Sequence, residues 1–181
     1  SVRRQRQMCI RDSIPVAWSN LMGDDYTIAP ELLDRVETVA QYVLDNGMYA
    51  VVNLHWDNGW IAGFSTDYDT CMEKYTRIWE QVSERFSGYG DHLILESMNE
   101  EGCFDDLWNH YSGSEDGKAE AYGIVNRINQ KFVDLVRSSG GNNPERHLLI
   151  AGYATDVDMT CDEMFQMPED SAGRCAVSVH Y

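Results

Sequence analysis

Apolar, strand-like runs alternate with amphipathic helical stretches along this chain. That alternation limits the folds open to it more than any other feature. The runs are Ile14–Trp18, Met48–Leu54, the stretch from Leu93, His147–Ile150 and Cys175–Val179. Helical spacing is predicted over 30–46, 70–86 and 119–138. In the first helix Leu32, Leu33, Val36, Val39, Ala40 and Val43 recur at i, i+3, i+4, with Pro30 in the opening turn and Gly47 as the stop. Met72, Tyr75, Ile78, Trp79, Val82 and Phe86 form the stripe of the second, with Asp69 as its expected cap. Ala121, Val125, Ile128, Phe132, Leu135 and Val136 form that of the third, ended by Gly140 and Gly141. Residues 156–167 read as irregular or a short helix. Such repetition calls for right-handed crossovers and a parallel sheet of five strands. No glycine-rich phosphate turn follows the first strand, so a dinucleotide fold has no support.

The 181 residues suit one domain with one core, and no linker divides them. A formal net charge of −16 repels nucleic-acid backbones and anionic membranes, which leaves neutral, hydroxyl-rich ligands open. No apolar run reaches the roughly 18 residues of a membrane span, and no signal peptide is legible. The five cysteines, Cys9, Cys71, Cys103, Cys161 and Cys175, contain no C-x-x-C pair. One or two disulfides fit their spacing as well as free thiols do. Met8–Ser13 matches the translation of a transposon end used in sequencing-library preparation. Residues 1–13 are therefore expected to be a sequencing or assembly scar, outside the evolved protein.

Polar and aromatic residues gather just after the strands: Trp18, His55 and Trp56, Asn99 and Glu100, Tyr153, His180 and Tyr181. In a parallel α/β structure those positions share one end of the sheet, where barrel enzymes keep their chemistry. The run His92–Glu100 is the sharpest case, an apolar strand that ends in Asn99-Glu100. A glutamate there suits general acid/base work, protonating the leaving oxygen of a glycosidic bond while a second carboxylate acts on the opposite face. Asn99 is placed to hold a sugar hydroxyl. Glu96 shares the alternation parity of Glu100 and reads as a buried structural acid in need of a cationic partner. His55 and His180 suit positioning of a nucleophile or sugar ring, against the plainer reading of satisfied core histidines. No histidine pair has i, i+4 spacing, and the acidic run Asp156, Asp158, Asp162, Glu163 lacks a calcium-loop glycine, so no metal site is expected. Trp56, Trp60 and Trp108 lie in predicted loops, where an indole can stack on a sugar; Trp79, at helical spacing, reads as core.

Together these residues resemble glycoside hydrolase family 5, the large cellulase family. The resemblance runs from Ile14 to Tyr181 through Ile-Pro-Val-Ala-Trp at 14–18, Gly-Met-Tyr-Ala-Val-Val-Asn-Leu-His-Trp at 47–56, Leu-Ile-Leu-Glu-Ser-Met-Asn-Glu at 93–100, Phe-Val-Asp-Leu-Val-Arg-Ser-Ser-Gly-Gly-Asn-Asn at 132–143 and Ser-Val-His-Tyr at 178–181. It implies an α/β fold, a partial (β/α)8 TIM barrel with about strands 2 to 6 present and the first, seventh and eighth strands missing. It also implies cleavage of β-glycosidic bonds with retention and no cofactor. By resemblance Glu100 is the acid/base, and His55 and His180 are the histidines after the third and sixth strands. Trp18, His55, Trp56, Trp60, Asn99, Trp108, His180 and Tyr181 are the expected substrate-binding residues.

Three departures stand out. Ser13 occupies the place of a family arginine, and Glu101 stands where many members have proline. The nucleophile belongs to a seventh strand, which this chain is expected to lack. The resulting expectation is a secreted, monomeric endo-β-1,4-glucanase acting on cellulose or related β-glucans, with residues 1–181 inactive alone. A xyloglucanase, licheninase or mannanase of the same family, a non-catalytic carbohydrate-binding barrel, and a metal-dependent hydrolase using His55 and His180 are the alternatives.

Overall fold

The computed structural model describes residues 11–180. Five strands, β1 (Arg11–Ile14), β2 (Tyr49–Asn53), β3 (Leu93–Glu96), β4 (Leu148–Asp156) and β5 (Cys175–His180), lie side by side in chain order. Every neighbouring pair is parallel, with Ser13 beside Val51, Val51 beside Ile94, Glu96 beside Leu149 and Ile150 beside Val177. The connections carry helices α1 (Pro30–Asp45), α2 (Tyr68–Arg85) and α3 (Lys118–Ser138), and a single turn α4 (Val157–Thr160) follows β4. A parallel sheet that always advances the same way keeps its right-handed crossovers on one face, which is barrel winding. A doubly wound sheet would reverse its strand order. The chain thus forms a five-strand portion of a (β/α)8 barrel.

The helices follow the apolar spacing, with local differences. In α1 the buried residues are Val36, Ala40 and Val43, while Leu32 and Leu33 pack partly and Val39 is exposed. Helix α2 begins earlier than predicted, and its cap is Asp67 rather than Asp69. The non-helical backbone at Asp67 lets its carboxylate accept from the Thr70 N–H. Tyr75, Ile78, Trp79 and Val82 on α2 are buried against α3, where Ile128, Phe132 and Val136 are buried in turn. Trp79 meets Phe132 edge-on at 4.5 Å between ring centroids.

The first strand differs from expectation. Ile14–Trp18 is apolar enough for a strand, yet pairing with β2 uses residues 11–14, three of them inside the stretch set aside as a scar. Pro15 has no N–H to donate, so the ladder ends before it. The Val16 carbonyl still accepts from His55 N–H at 2.9 Å, and Trp18–Leu21 then turns as a 3-10 helix.

Just before β4, Arg146 is 1% exposed and forms no ion pair among the described residues, Asp91 acting on it only at a distance. Its guanidinium instead donates to the carbonyls of Phe86, Tyr89, Gly90 and Leu93 and to Asn143 Oδ1. Burial pushes its pKa down to about 10. That fan of bonds closes the end of α2 and the turn into β3 with one side chain. Cys71, Cys103, Cys161 and Cys175 are free thiols, and no described helix is long and apolar enough to cross a membrane.

Candidate active site

The loops leaving β2 and β3 build a cleft of about 440 Å³ at the carboxyl end of the sheet, lined by His55, Trp56, Gly59, Asn99, Glu100, Glu101 and Cys103, among others. Its β2 wall is held by Asp57, which is fully buried. Asp57 accepts from the Ser19 N–H at 3.0 Å, the Ser19 hydroxyl at 2.7 Å and the Trp60 indole N–H at 2.9 Å. It therefore ties the segment after β1 to the loop after β2. Trp56, by contrast, is 65% exposed. Its loop turns sharply at Gly59, where φ is +71° and an added Cβ would lie 3.7 Å from the indole nitrogen.

The strand β3 carries a polar network beneath the cleft. Glu96 is buried and faces the side away from the helices, as its parity predicts, but its partner is an amide: Asn53 Nδ2 donates to Oε2 at 3.0 Å. Among the described residues a neutral donor stands where a cation was expected. Glu96, Ser13, Asn99, Ser178 and His180 share a second cavity of about 140 Å³ on this open face. Ser97 donates to Asn129 Oδ1 and accepts from Ala151 N–H, while its carbonyl takes the Tyr75 hydroxyl. These bonds fix β3 just before it releases Asn99, Glu100 and Glu101.

Glu100 reaches toward β5, where its Oε1 lies 2.9 Å from His180 Nδ1. Glu101 turns back into the cleft. Its Oε2 accepts from the Asn99 N–H at 3.1 Å, and its Oε1 is buried with no partner in the protein. Burial raises the Glu101 pKa above the usual carboxylate range, against the pull of the backbone N–H groups and of nearby His55. His55 Nδ1 is likewise buried and unpartnered. Cys103 donates its thiol to Asp105 Oδ1 at 3.1 Å, and burial pushes its pKa up to about 12, which makes it a poor nucleophile.

The loop after β3 is braced by aromatics. Tyr153, at the end of β4, accepts from the Phe104 N–H through its hydroxyl, at 3.4 Å. Its ring stacks on Tyr122 at 4.3 Å. Trp108 packs against both rings and donates its indole N–H to the Ser114 carbonyl. Gly117 completes the brace, since a Cβ there would lie 2.1 Å from the Leu107 carbonyl oxygen.

The structure thus brings His55, Trp56, Asn99, Glu100 and His180 to one end of the sheet and removes others. Trp18, expected to meet substrate, is fully buried, with its indole N–H on the Asn53 carbonyl at 3.1 Å. Trp108 is 4% exposed and belongs to the brace. Trp60 does not line the cleft; its N–H is spent on Asp57, and the Lys74 ammonium sits 4.5 Å from its ring centroid. Tyr181 lies outside the described residues. Glu101 is, beside the thiol of Cys103, the ionisable cleft residue that sequence reasoning did not assign; its only signal was its departure from the proline of the resemblance. Among the described residues no group of three or more His, Cys, Asp or Glu side chains is placed to hold a metal ion.

A one-way parallel sheet with carboxyl, amide and imidazole groups at its carboxyl end places the chain among α/β-barrel proteins of the enzyme type. The sequence model for Cellulase (glycosyl hydrolase family 5) matches residues 9–181. The chain belongs to that family. It is 38% identical over 169 residues to Endoglucanase B of Ruminococcus albus, a match covering 92% of this chain and 39% of that protein. A family 5 lichenase from Caldicellulosiruptor sp. F32, solved with cellotetraose, superposes with a TM-score of 0.85 at 35% identity over 98% of this chain and 49% of its own. A family 5 xyloglucanase of Bacteroides ovatus, in complex with a heptasaccharide, gives 0.83 at 35% identity over 93% of this chain and 36% of its own. The chain spans less than half the length of each of these relatives.

Proposed function

We propose that this segment carries the acid/base half of a retaining endo-β-1,4-glucanase, with Glu100 protonating the leaving glycosidic oxygen. The observation that carries this reading is Asn99-Glu100 at the cleft end of β3 with His180 against the carboxylate. A hydrogen-bonded imidazole orients the acid, and Asn99 beside it is placed for a neighbouring hydroxyl. Trp56 offers an exposed indole face for a glucose ring. Cellulose and related β-glucans are the proposed substrates. The lichenase and xyloglucanase among the relatives keep mixed-linkage glucan and xyloglucan as the next choices. Polymers of that size do not cross a cell membrane, so secretion is part of the proposal, and the enzyme is proposed to work as a monomer.

Retention needs two carboxyl groups about 5–5.5 Å apart on opposite faces of the sugar. Within the described residues the cleft offers Glu100 and Glu101, adjacent on one loop, and Asp57 is committed to Ser19 and Trp60. We therefore place the nucleophile outside this segment and expect residues 1–181 alone to be inactive. The test is Glu100→Gln in the whole protein, which should cut hydrolysis of carboxymethyl cellulose by roughly 10²–10⁴. Formation of the intermediate from an activated aryl cellobioside, whose leaving group needs little protonation, should suffer much less. Equal loss on both substrates would remove Glu100 from the acid role.

A further inference from the structure

Three residues after β2 are bonded to three in the segment after β1. The His55 N–H donates to the Val16 carbonyl at 2.9 Å, Asp57 takes the Ser19 N–H and hydroxyl, and Asn58 Nδ2 donates to Asn20 Oδ1 at 2.8 Å. Trp56 lies between these ties, and its side chain projects outward, 65% exposed. The first two ties involve buried residues, Val16 and Asp57, and serve the fold. The third does not. Asn20 and Asn58 are both exposed, and water can take either amide at little cost to stability. What sets the third tie apart is its place beside the indole. Asn58 and Gly59 both have left-handed backbone, φ +60° and +71°, which turns the chain sharply next to Trp56. A Cβ on Gly59 would lie 3.7 Å from the indole nitrogen and 4.0 Å from Cε2 and Cζ2, so this part of the indole rests against the turn.

We infer that Asn20 is a positioning residue of the sugar site, holding through Asn58 the turn against which the Trp56 indole rests. The inference rests on the glucanase reading for the sugar that stacks on Trp56, and adds to it the residues that fix the stacking platform. Trp56 and Gly59 line the cleft, whereas Asn20 does not and acts through the turn. An exposed ring that is free to rotate must be ordered when a glucose ring stacks on it. Ordering one such side chain costs roughly three- to tenfold in affinity, a loss that a turn held in advance avoids. A purely structural amide pair would change stability and leave affinity alone.

The test is calorimetric titration of the whole protein, carrying Glu100→Gln to prevent turnover, with cellotetraose, mannotetraose and xylotetraose. Asn20→Ala, Asn20→Asp, Asn58→Gly and Trp56→Ala are each added to that parent, and Asn20→Ala is also combined with Trp56→Ala. Asn20→Ala should weaken cellotetraose binding roughly three- to tenfold. Asn58→Gly, which keeps the left-handed turn but loses the amide, should do the same. Asn20→Asp keeps an acceptor for Asn58 Nδ2 and should bind within about 1.5-fold of the parent. On top of Trp56→Ala, Asn20→Ala should have almost no further effect. If Asn20→Ala binds as the parent does while Trp56→Ala is weakened, the positioning role falls and the glucanase reading stands. Additive losses from Asn20→Ala and Trp56→Ala would also overturn the role, since Asn20 would then act elsewhere. If mannotetraose or xylotetraose binds in place of cellotetraose with the same pattern among the variants, the role stands and the glucan assignment falls. Binding of none of the three overturns both.

Discussion

His180 Nδ1 lies 2.9 Å from Glu100 Oε1, although the two are separated by 80 residues and by the whole of β4. The contact spans three strands because both side chains leave their strands at the same end of a parallel sheet. Both are substantially exposed, 45% and 66%, so the pair has little structural worth by itself. Its meaning is functional, and a double-mutant cycle reads it. His180→Ala in the whole protein should lower kcat/KM about tenfold or more, and the same change made on top of Glu100→Gln should have almost no further effect. Additive losses would show that the two residues act independently.

Trp56 and Trp60, four residues apart, should separate cleanly. The Trp56 indole lies open on the cleft wall, so Trp56→Ala should weaken oligosaccharide binding several-fold and leave the melting temperature nearly unchanged. Trp60 is bonded to Asp57 and covered by Lys74, so Trp60→Ala leaves a buried carboxylate one donor short. A loss of about 2–3 kcal/mol in urea unfolding is expected for it. The opposite pattern would exchange their roles.

Arg146 carries a prediction about the fold alone. Arg146→Met keeps much of the side-chain length but takes a charged donor from the carbonyls of Phe86, Tyr89, Gly90 and Leu93 and from Asn143 Oδ1. The first three carbonyls are left with one donor each, Tyr89 N–H, Asn142 Nδ2 and Leu93 N–H. Stability should fall by about 3 kcal/mol or more, with the end of α2 and the start of β3 losing amide-exchange protection first. A loss under about 1 kcal/mol would mean that water replaces the guanidinium without penalty.

The helices and the strand order were legible because they rest on local spacing. Val36, Ala40, Val43 and the α2 and α3 stripes are buried where the periodicity puts them. What sequence spacing misplaced depends on contacts distant in the chain. Trp18 and Trp108 read as loop indoles, but a loop position does not reveal that the loop folds back. Trp18 is buried by a bond to Asn53, 35 residues away, and Trp108 by Tyr153 across the sheet. Glu96 pointed inward as its parity required, yet only the fold could supply Asn53 in place of a cation. The shift of β1 onto residues 11–14 has a similar origin. Ladder bonds come from backbone, so side-chain character could not decide which residues pair.

Asp170 and Arg137 give the last prediction, one of pH. Arg137 Nε and Nη2 meet the two carboxylate oxygens at 2.7 and 3.0 Å, and the N–H groups of Ala172 and Arg174 add to the same carboxylate. Arg137 in turn donates to the carbonyls of Asn143 and Arg146, so the pair joins α3 to the segments on either side of β4. The guanidinium beside it holds the Asp170 pKa at about 2, below the ordinary value of 3.8. A depressed acid contributes stability above its unfolded pKa and loses it as the pH falls through the folded one. Asp170→Asn should therefore cost roughly 1–2 kcal/mol at pH 7, and the gap should close between about pH 4 and pH 2. Urea unfolding of both proteins across that range is the measurement. A difference that persists unchanged at pH 2 would assign the contribution of Asp170 to its hydrogen-bond geometry, with no part for its charge.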